Sequence, residues 1–255
     1  MKLPKDKKVF FASDQHFGAP TIEDSKIREA CFIKWLASIE NEASALFLLG
    51  DLFDLWFEYK KAVPKGFIRV LGKLAQLVDQ GIGVYFFVGN HDLWMEDYFE
   101  KELGITVYKQ PQDITIEGVH FYMGHGDGLG PDDKGFKRLK KVFTHPVAKR
   151  LFHVIHPDIG LRLGQYLSLR NKKLSGAQTP PYRGAEQEWL VHYARQKLQE
   201  QHRDFFLFGH RHLPLEIELT SQSKYINLGD WVHHFSYAVF DGKEIELKKW
   251  NTKDD

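Results

Sequence analysis

Five apolar, aromatic-rich runs, each closed by a glycine or a polar cluster, constrain this chain more than any other feature. Val9 to Ala12 leads into Asp14-Gln15-His16, Leu46 to Leu49 into Gly50-Asp51, and Val84 to Val88 into Gly89-Asn90-His91-Asp92. Val119 to Met123 leads into Gly124-His125-Gly126-Asp127, and Phe205 to Phe208 into Gly209-His210-Arg211-His212. Runs of this length and composition fit buried strands, and a small or polar residue ends each where the chain must turn. In open α/β sheets ligands bind in the crevice beyond the strand ends, so five such ends can aim their side chains at one place. Turn formers and satisfied core histidines account for any one cluster, but not for its recurrence at five strand ends.

Between these runs helical periodicity recurs. It covers Ser25 to Glu42, with Ile27, Cys31, Trp35 and Ile39 near one face, then Pro64 to about Gln80, and Ala185 to Glu200. Strand and helix alternate through the first half, which implies crossover units and a mainly parallel central sheet. Asp113 to Gly118 and Val119 to Met123, joined near Glu117-Gly118, begin a set of short strands that fits a second sheet. The expectation is an α/β chain of 255 residues, 43% hydrophobic, folded as one domain over 1–255. A net charge of +1 gives no global pull towards nucleic acid. Cys31, the single cysteine, excludes an intramolecular disulfide and fits a reducing compartment. With no apolar run of spanning length, membrane contact is expected to be peripheral.

Asp14, His16, Asp51, Asn90, His125, His210 and His212 offer oxygen or imidazole ligands, and a carboxylate between two cations can serve both. A set without thiolate suits manganese, iron or zinc. The texture changes from Pro131 to Lys173, where eleven Lys or Arg stand against three Asp and interleave with Val142, Phe143, Leu151 and Phe152. Basic amphipathic helices of this kind grip an anionic lipid surface or present a solvated basic face.

At the five clusters the chain resembles the calcineurin-like metallophosphoesterases, whose D-x-H, G-D, G-N-H-D, glycine-flanked H and G-H-x-H motifs occur here in full and in order from Val9 to about Trp231. The resemblance implies a sandwich of two β-sheets flanked by helices, and two divalent metal ions, Mn2+ first, with Fe or Zn as alternatives. It places Asp14, His16, Asp51 and His212 on one metal, and Asp51, Asn90, His125 and His210 on the other, with Asp51 as the bridge. It makes Asn90, His91 and Asp92 catalytic. His91 is expected over the metal pair, its ring oriented by Asp92, where it would stabilise developing charge or protonate the leaving group. Asp127, close behind His125, is expected to hold an imidazole tautomer or to form a simple turn, and Asp54 to orient a neighbour or serve the structure.

Within that superfamily, His125-Gly126-Asp127 followed by Leu129, Asp132-Asp133 and a basic helical insert over about 131–183 is similar to the UDP-2,3-diacylglucosamine diphosphatases of lipid A synthesis. One departure stands out: where that family commonly carries Arg, this chain has His91. The closer resemblance implies cleavage of UDP-2,3-diacylglucosamine to UMP and 2,3-diacylglucosamine 1-phosphate (lipid X). Substrate contacts would come from Asn90, His91, Ser168, Arg170, Lys172, Lys173 and His210. The insert would form a lid, with Phe143, Leu151 and Phe152 against the acyl chains. The expected location is the inner face of the cytoplasmic membrane, with no nucleic-acid or obligate protein partner. Two other readings stay open: the same metal site acting on another nucleotide, phosphodiester or phosphoprotein, and a binding scaffold that has lost catalysis.

Overall fold

A computed structural model describes residues 1–130, 134–174 and 181–251, without the side chains of 134–136, 139 and 169–174. β1 (Lys8–Ala12), β2 (Ala43–Leu48), β3 (Gly83–Phe87) and β4 (Thr106–Tyr108) run parallel, and α1 (Ile22–Ile39), α2 (Ile68–Asp79) and α3 (Tyr98–Leu103) make the crossovers. β10 (Ser236–Phe240) and β11 (Ile245–Lys249) extend this sheet antiparallel, in the order β11-β10-β1-β2-β3-β4. The second sheet is ordered β5-β6-β7-β9-β8, from β5 (Gln112–Ile116), β6 (Val119–Gly124), β7 (Phe205–Phe208), β8 (Pro214–Thr220) and β9 (Ser223–Leu228). Its β6, β7 and β9 are mutually parallel. Glu117 and Gly118, both at positive φ, make the tight β5–β6 turn, as a two-residue hairpin loop requires.

The period-two alternation of strand side chains explains why the runs read as continuously apolar. Val9 and Phe11 of β1, with Ala45, Phe47 and Leu49, face Phe121, Met123, Leu207 and Ile226 of the other sheet. Phe10 and Ala12 turn the other way, onto Phe32, Trp35 and Leu36 of α1 and Val70 and Leu74 of α2. The outer face of the second sheet is covered by α7 (Trp189–Glu200), through Leu190, Val191 and Ala194. The layers are therefore helix, sheet, sheet, helix, and each fully buried Phe or Leu between them contributes about 1.5–3 kcal/mol.

Two helices start away from their expected positions. α1 begins at Ile22, capped by the Thr21 hydroxyl, and Ile27 is 72% exposed rather than packed. Arg28, Phe32, Trp35 and Ile39 form the buried stripe, and a residue one position before Arg28 is rotated about 100° off it. α2 begins at Ile68 rather than Pro64, because Gly66 at φ +111° is incompatible with a helical turn.

The insert folds as α4 (Lys134–Thr144), α5 (Pro146–Val154) and α6 (Pro157–Leu174). Phe143 and Phe152 correct one expectation. Phe152 packs on Trp94 and Phe57 at 4.7 and 4.6 Å between ring centroids, and Trp94 Nε1 donates to the Phe143 carbonyl at 2.7 Å. These two phenylalanines anchor the insert to the body. Among the described residues of α4, α5 and α6, Val142, Val147, Leu151, Val154, Ile159, Leu163, Tyr166 and Leu167 are the exposed large hydrophobic side chains instead. Among the described residues no helix is long and apolar enough to cross a membrane.

Candidate metal centre

β1, β2 and β3 of the first sheet, and β6, β7 and β9 of the second, bring their C-terminal ends to one edge of the sandwich. The two sheets are stitched there: the Asp14 carboxylate accepts from the His210 amide at 2.9 Å, and the Leu49 carbonyl lies 2.7 Å from His125 Nδ1. Close approach explains two of the glycines. A Cβ on Gly50 would fall 2.6 Å from His125 Nδ1, and one on Gly89 would collide with the Asp51 carboxylate.

Asp14, His16, Asp51, His210 and His212 all lie at positive φ, between +47° and +63°. A non-glycine residue there costs on the order of 1–3 kcal/mol, and such strain persists only where surrounding structure enforces it. Arg28 enforces it at Asp14-Gln15-His16, donating to the Gln15 and His16 carbonyls at 2.7 Å each and to that of Ala19.

The described residues bring the expected ligands together. Asp14, His16 and His212 form one group, and Asp51, His125 and His210 another, each with its ligand atoms within 4.8 Å of one another. In the first, His212 Nε2 lies 3.1 Å from Asp14 Oδ1 and 3.1 Å from His16 Nε2. In the second, His125 Nε2 lies 3.3 Å from Asp51 Oδ2 and 3.2 Å from Asn90 Oδ1. Asp51 Oδ2 is also 3.6 Å from His16 Nε2, which puts it between the groups, where a bridging ligand belongs.

Three of the four ligand imidazoles have an oxygen near Nδ1, and that of His125 is in hydrogen-bonding geometry. His125 Nδ1 faces the Leu49 carbonyl, His16 Nδ1 lies 3.3 Å from Asp54 Oδ1, and His212 Nδ1 lies 3.3 Å from Asp230 Oδ2. An acceptor opposite Nδ1 favours the proton there and leaves the Nε2 lone pair for a ligand. The Nε2 atoms and carboxylate oxygens converge at 3.1–3.7 Å, and Asp14 Oδ1 is buried without a hydrogen-bond partner. Such a donor set fits a divalent metal centre.

The charge balance agrees. Burial opposes ionisation of Asp51, yet His125, His91 and His16 hold its carboxyl far below the usual range. Burial opposes charge on His212 too, but Asp14 and Asp230 raise it to about 10, while burial and the nearby His125 push His210 down to about 4. The carboxylates demand positive charge, which bound cations supply in place of imidazole protons.

Two expectations are corrected. Asp92 does not orient His91: it is fully buried, and its oxygens accept from the Gly89 amide at 2.5 Å and the Leu52 amide at 3.1 Å, bracing the two ligand loops. The His91 ring is held by Asp54, whose carbonyl lies 2.7 Å from Nδ1. Among the described residues Asp127 makes no hydrogen bond to an imidazole. It pairs with Lys140 of α4 at 2.5 Å and so fastens the insert to the loop after β6. Ser168 of α6 donates to Asp54 at 2.8 Å, whereas Arg170, Lys172 and Lys173 have side chains outside the described residues.

Asp230 is the residue that sequence reading missed. It follows β9, buried, and its Oδ1 accepts from the Val232, His233 and His234 amides while Oδ2 faces His212. Leu228-Gly229-Asp230 repeats the design of Leu49-Gly50-Asp51, and that was the available signal. Asp230→Asn, which keeps an acceptor for the three amides, should lower metal affinity about 10–100-fold by releasing the His212 ring. Unchanged affinity in a metal titration would remove His212 from the ligand set.

A UDP-2,3-diacylglucosamine hydrolase of Porphyromonas gingivalis is 36% identical to this chain, over 94% of the chain and 97% of the relative. Another, of Photorhabdus laumondii, is 26% identical over 94% and 97% respectively. A solved phosphoesterase from E. coli aligns with 95% of this chain and 92% of its own, at 17% identity and a TM-score of 0.47. The calcineurin-like phosphoesterase model matches residues 7–214, so the strand-end clusters and the sandwich that gathers them place the chain in the calcineurin-like phosphoesterase family.

Proposed function

We propose that the chain is a dinuclear-metal hydrolase that cleaves the diphosphate of UDP-2,3-diacylglucosamine to UMP and 2,3-diacylglucosamine 1-phosphate. The observation that carries this reading is near-full-length similarity, 36% identical over 94% of the chain, to a protein named for that hydrolysis. The metal centre and the basic, amphipathic insert fastened beside it are what such a reaction needs.

Asp14, His16, Asp51 and His212 would hold one cation and Asp51, Asn90, His125 and His210 the other, with Mn2+ the first choice among Mn, Fe and Zn. A bound pair supplies Lewis-acid neutralisation at phosphorus and an acidified water. His91 is 20% exposed, beside His16 at 4.8 Å between ring centroids. With Nδ1 turned to the Asp54 carbonyl, its Nε2 is the atom placed to meet the transferring phosphoryl group or its leaving oxygen. Asn90, His91 and His210 would line the diphosphate, and Ser168, Arg170, Lys172 and Lys173 would approach it from α6. The enzyme would work at the inner face of the cytoplasmic membrane, where its substrate's acyl chains lie.

Leu151 and Val154, 67% and 84% exposed on α5, test the lipid part of this reading. Each acyl methylene buried against such side chains is worth about 0.8 kcal/mol, an energy a soluble substrate does not have. The Leu151→Ser/Val154→Ser protein should lose roughly tenfold or more in kcat/KM for UDP-2,3-diacylglucosamine while hydrolysing a small soluble phosphodiester at the unmodified rate. Equal rates on both substrates before and after the change would defeat the lipid assignment.

A further inference from the structure

The insert is fastened to three ligand-bearing loops: Phe152 and Trp94 join it to the loop after β3, Lys140 and Asp127 to the loop after β6, and Ser168 and Asp54 to the loop after β2. The last fastening continues into the metal centre. Asp54 is 5% exposed, and its two carboxylate oxygens face opposite ways. Oδ2 accepts from the Ser168 hydroxyl at 2.8 Å, and Oδ1 lies 3.3 Å from His16 Nδ1.

We propose that Asp54 is a positioning residue that couples seating of the insert to metal loading, through Ser168 on one side and the His16 ring on the other. The coupling rests on the metal-dependent reading above and adds to it a regulation of the insert by the metal.

The contact is built into α6. Gly160, Gly164 and Ser168 recur every four residues and so share one stripe of the helix. A Cβ on Gly164 would lie 2.6 Å from Leu55 Cδ2, and one on Gly160 would lie 3.0 Å from Phe152 and press on the Tyr59 hydroxyl. The two glycines therefore let α6 settle against the loop that carries Asp54, close enough for Ser168 to reach it. With Ser168 on Oδ2, Asp54 Oδ1 stands beside His16 Nδ1, and the ring's Nε2 faces Asp14 and Asp51, 3.7 and 3.6 Å away.

Coupling of this kind is reciprocal: whatever seating does for metal affinity, metal does for seating. A cation on His16 would fix the ring, the ring would favour one setting of Asp54, and Asp54 would hold Ser168. The insert would then close firmly over a loaded centre and loosely over an empty one, so that lipid is gripped by the enzyme able to cleave it.

The test uses the whole protein, with Mn2+ as the probe. Backbone hydrogen exchange is followed across 157–174 with and without the ion, and Mn2+ affinity is measured by titration. Mn2+ should slow exchange in α6 of the unmodified chain. Ser168→Ala should abolish that protection and weaken Mn2+ binding about tenfold, the lower end of what loss of an outer partner costs a metal site. Ser168→Thr, which keeps the hydroxyl, should restore both. Gly164→Val, which lifts the helix and removes no polar group, should behave as Ser168→Ala. A role confined to packing the insert would change exchange and leave Mn2+ affinity untouched, and that result overturns the coupling. Mn2+ bound to the unmodified chain with no change in α6 exchange overturns it as well, and leaves the proposed reaction standing. A chain that binds no divalent metal overturns both.

Discussion

Asp51→Ala should reduce turnover to the uncatalysed rate and empty both halves of the metal centre. Asp51 Oδ2 lies 3.3 Å from His125 Nε2 and 3.6 Å from His16 Nε2, so it is the carboxylate within reach of both ligand groups. Its other oxygen accepts from the His91 amide at 2.9 Å, so the change also loosens the loop after β3. Asp51→Asn, which keeps the shape and an acceptor oxygen, separates the two effects: the fold should hold while metal is still lost. Affinity should fall by more than the roughly 10–100-fold that loss of an outer partner costs. The check is metal content by elemental analysis beside the rate. Two metals bound at full activity in either variant would refute the bridging assignment.

His91→Ala should do the opposite to metal and nearly as much to rate. The ring touches the centre's edge through His16, yet its Nδ1 is taken by the Asp54 carbonyl at 2.7 Å. Removing it should leave metal content unchanged and slow the chemical step by about two to four orders of magnitude, the range for lost acid–base or charge stabilisation. The loss should appear in kcat more than in KM. Collapse of metal binding in this variant would make His91 a ligand.

The sandwich was legible because its central strands are covered on both faces, so Val9 to Ala12 and Leu46 to Leu49 carry an unbroken apolar signal. The ligands were legible because each sits within four residues of such a run. Which partner meets which ligand was not, although Asp54 was legible as a residue that orients a neighbour. That Leu49, Asp54 and Asp230 orient His125, His16 and His212 depends on which loops meet across the two sheets. No local spacing encodes that meeting. Asp92 shows the limit: adjacent to His91 in sequence, it turns inward to the Gly89 and Leu52 amides, and the carboxylate beside His91 comes from the loop after β2. The left-handed backbone at Asp14, His16, Asp51, His210 and His212 was equally hidden, since nothing in an Asp or His announces a positive φ that its surroundings impose. In the insert, amphipathic composition marked the helices. Which aromatics face the body followed from where Trp94 and Phe57 stand, and so Phe143 and Phe152 serve anchoring while Leu151 stays outside.

The most direct test of the account is a product analysis on the metal-defined protein. Chain stripped by chelation and reloaded stepwise with Mn2+ is incubated with UDP-2,3-diacylglucosamine, and the products are weighed by mass spectrometry. The account predicts no cleavage without metal, a rate that rises to a plateau at two ions per chain, and UMP and 2,3-diacylglucosamine 1-phosphate in equal amounts. Intact substrate at two Mn2+ per chain, or cleavage that is indifferent to chelation, would contradict it.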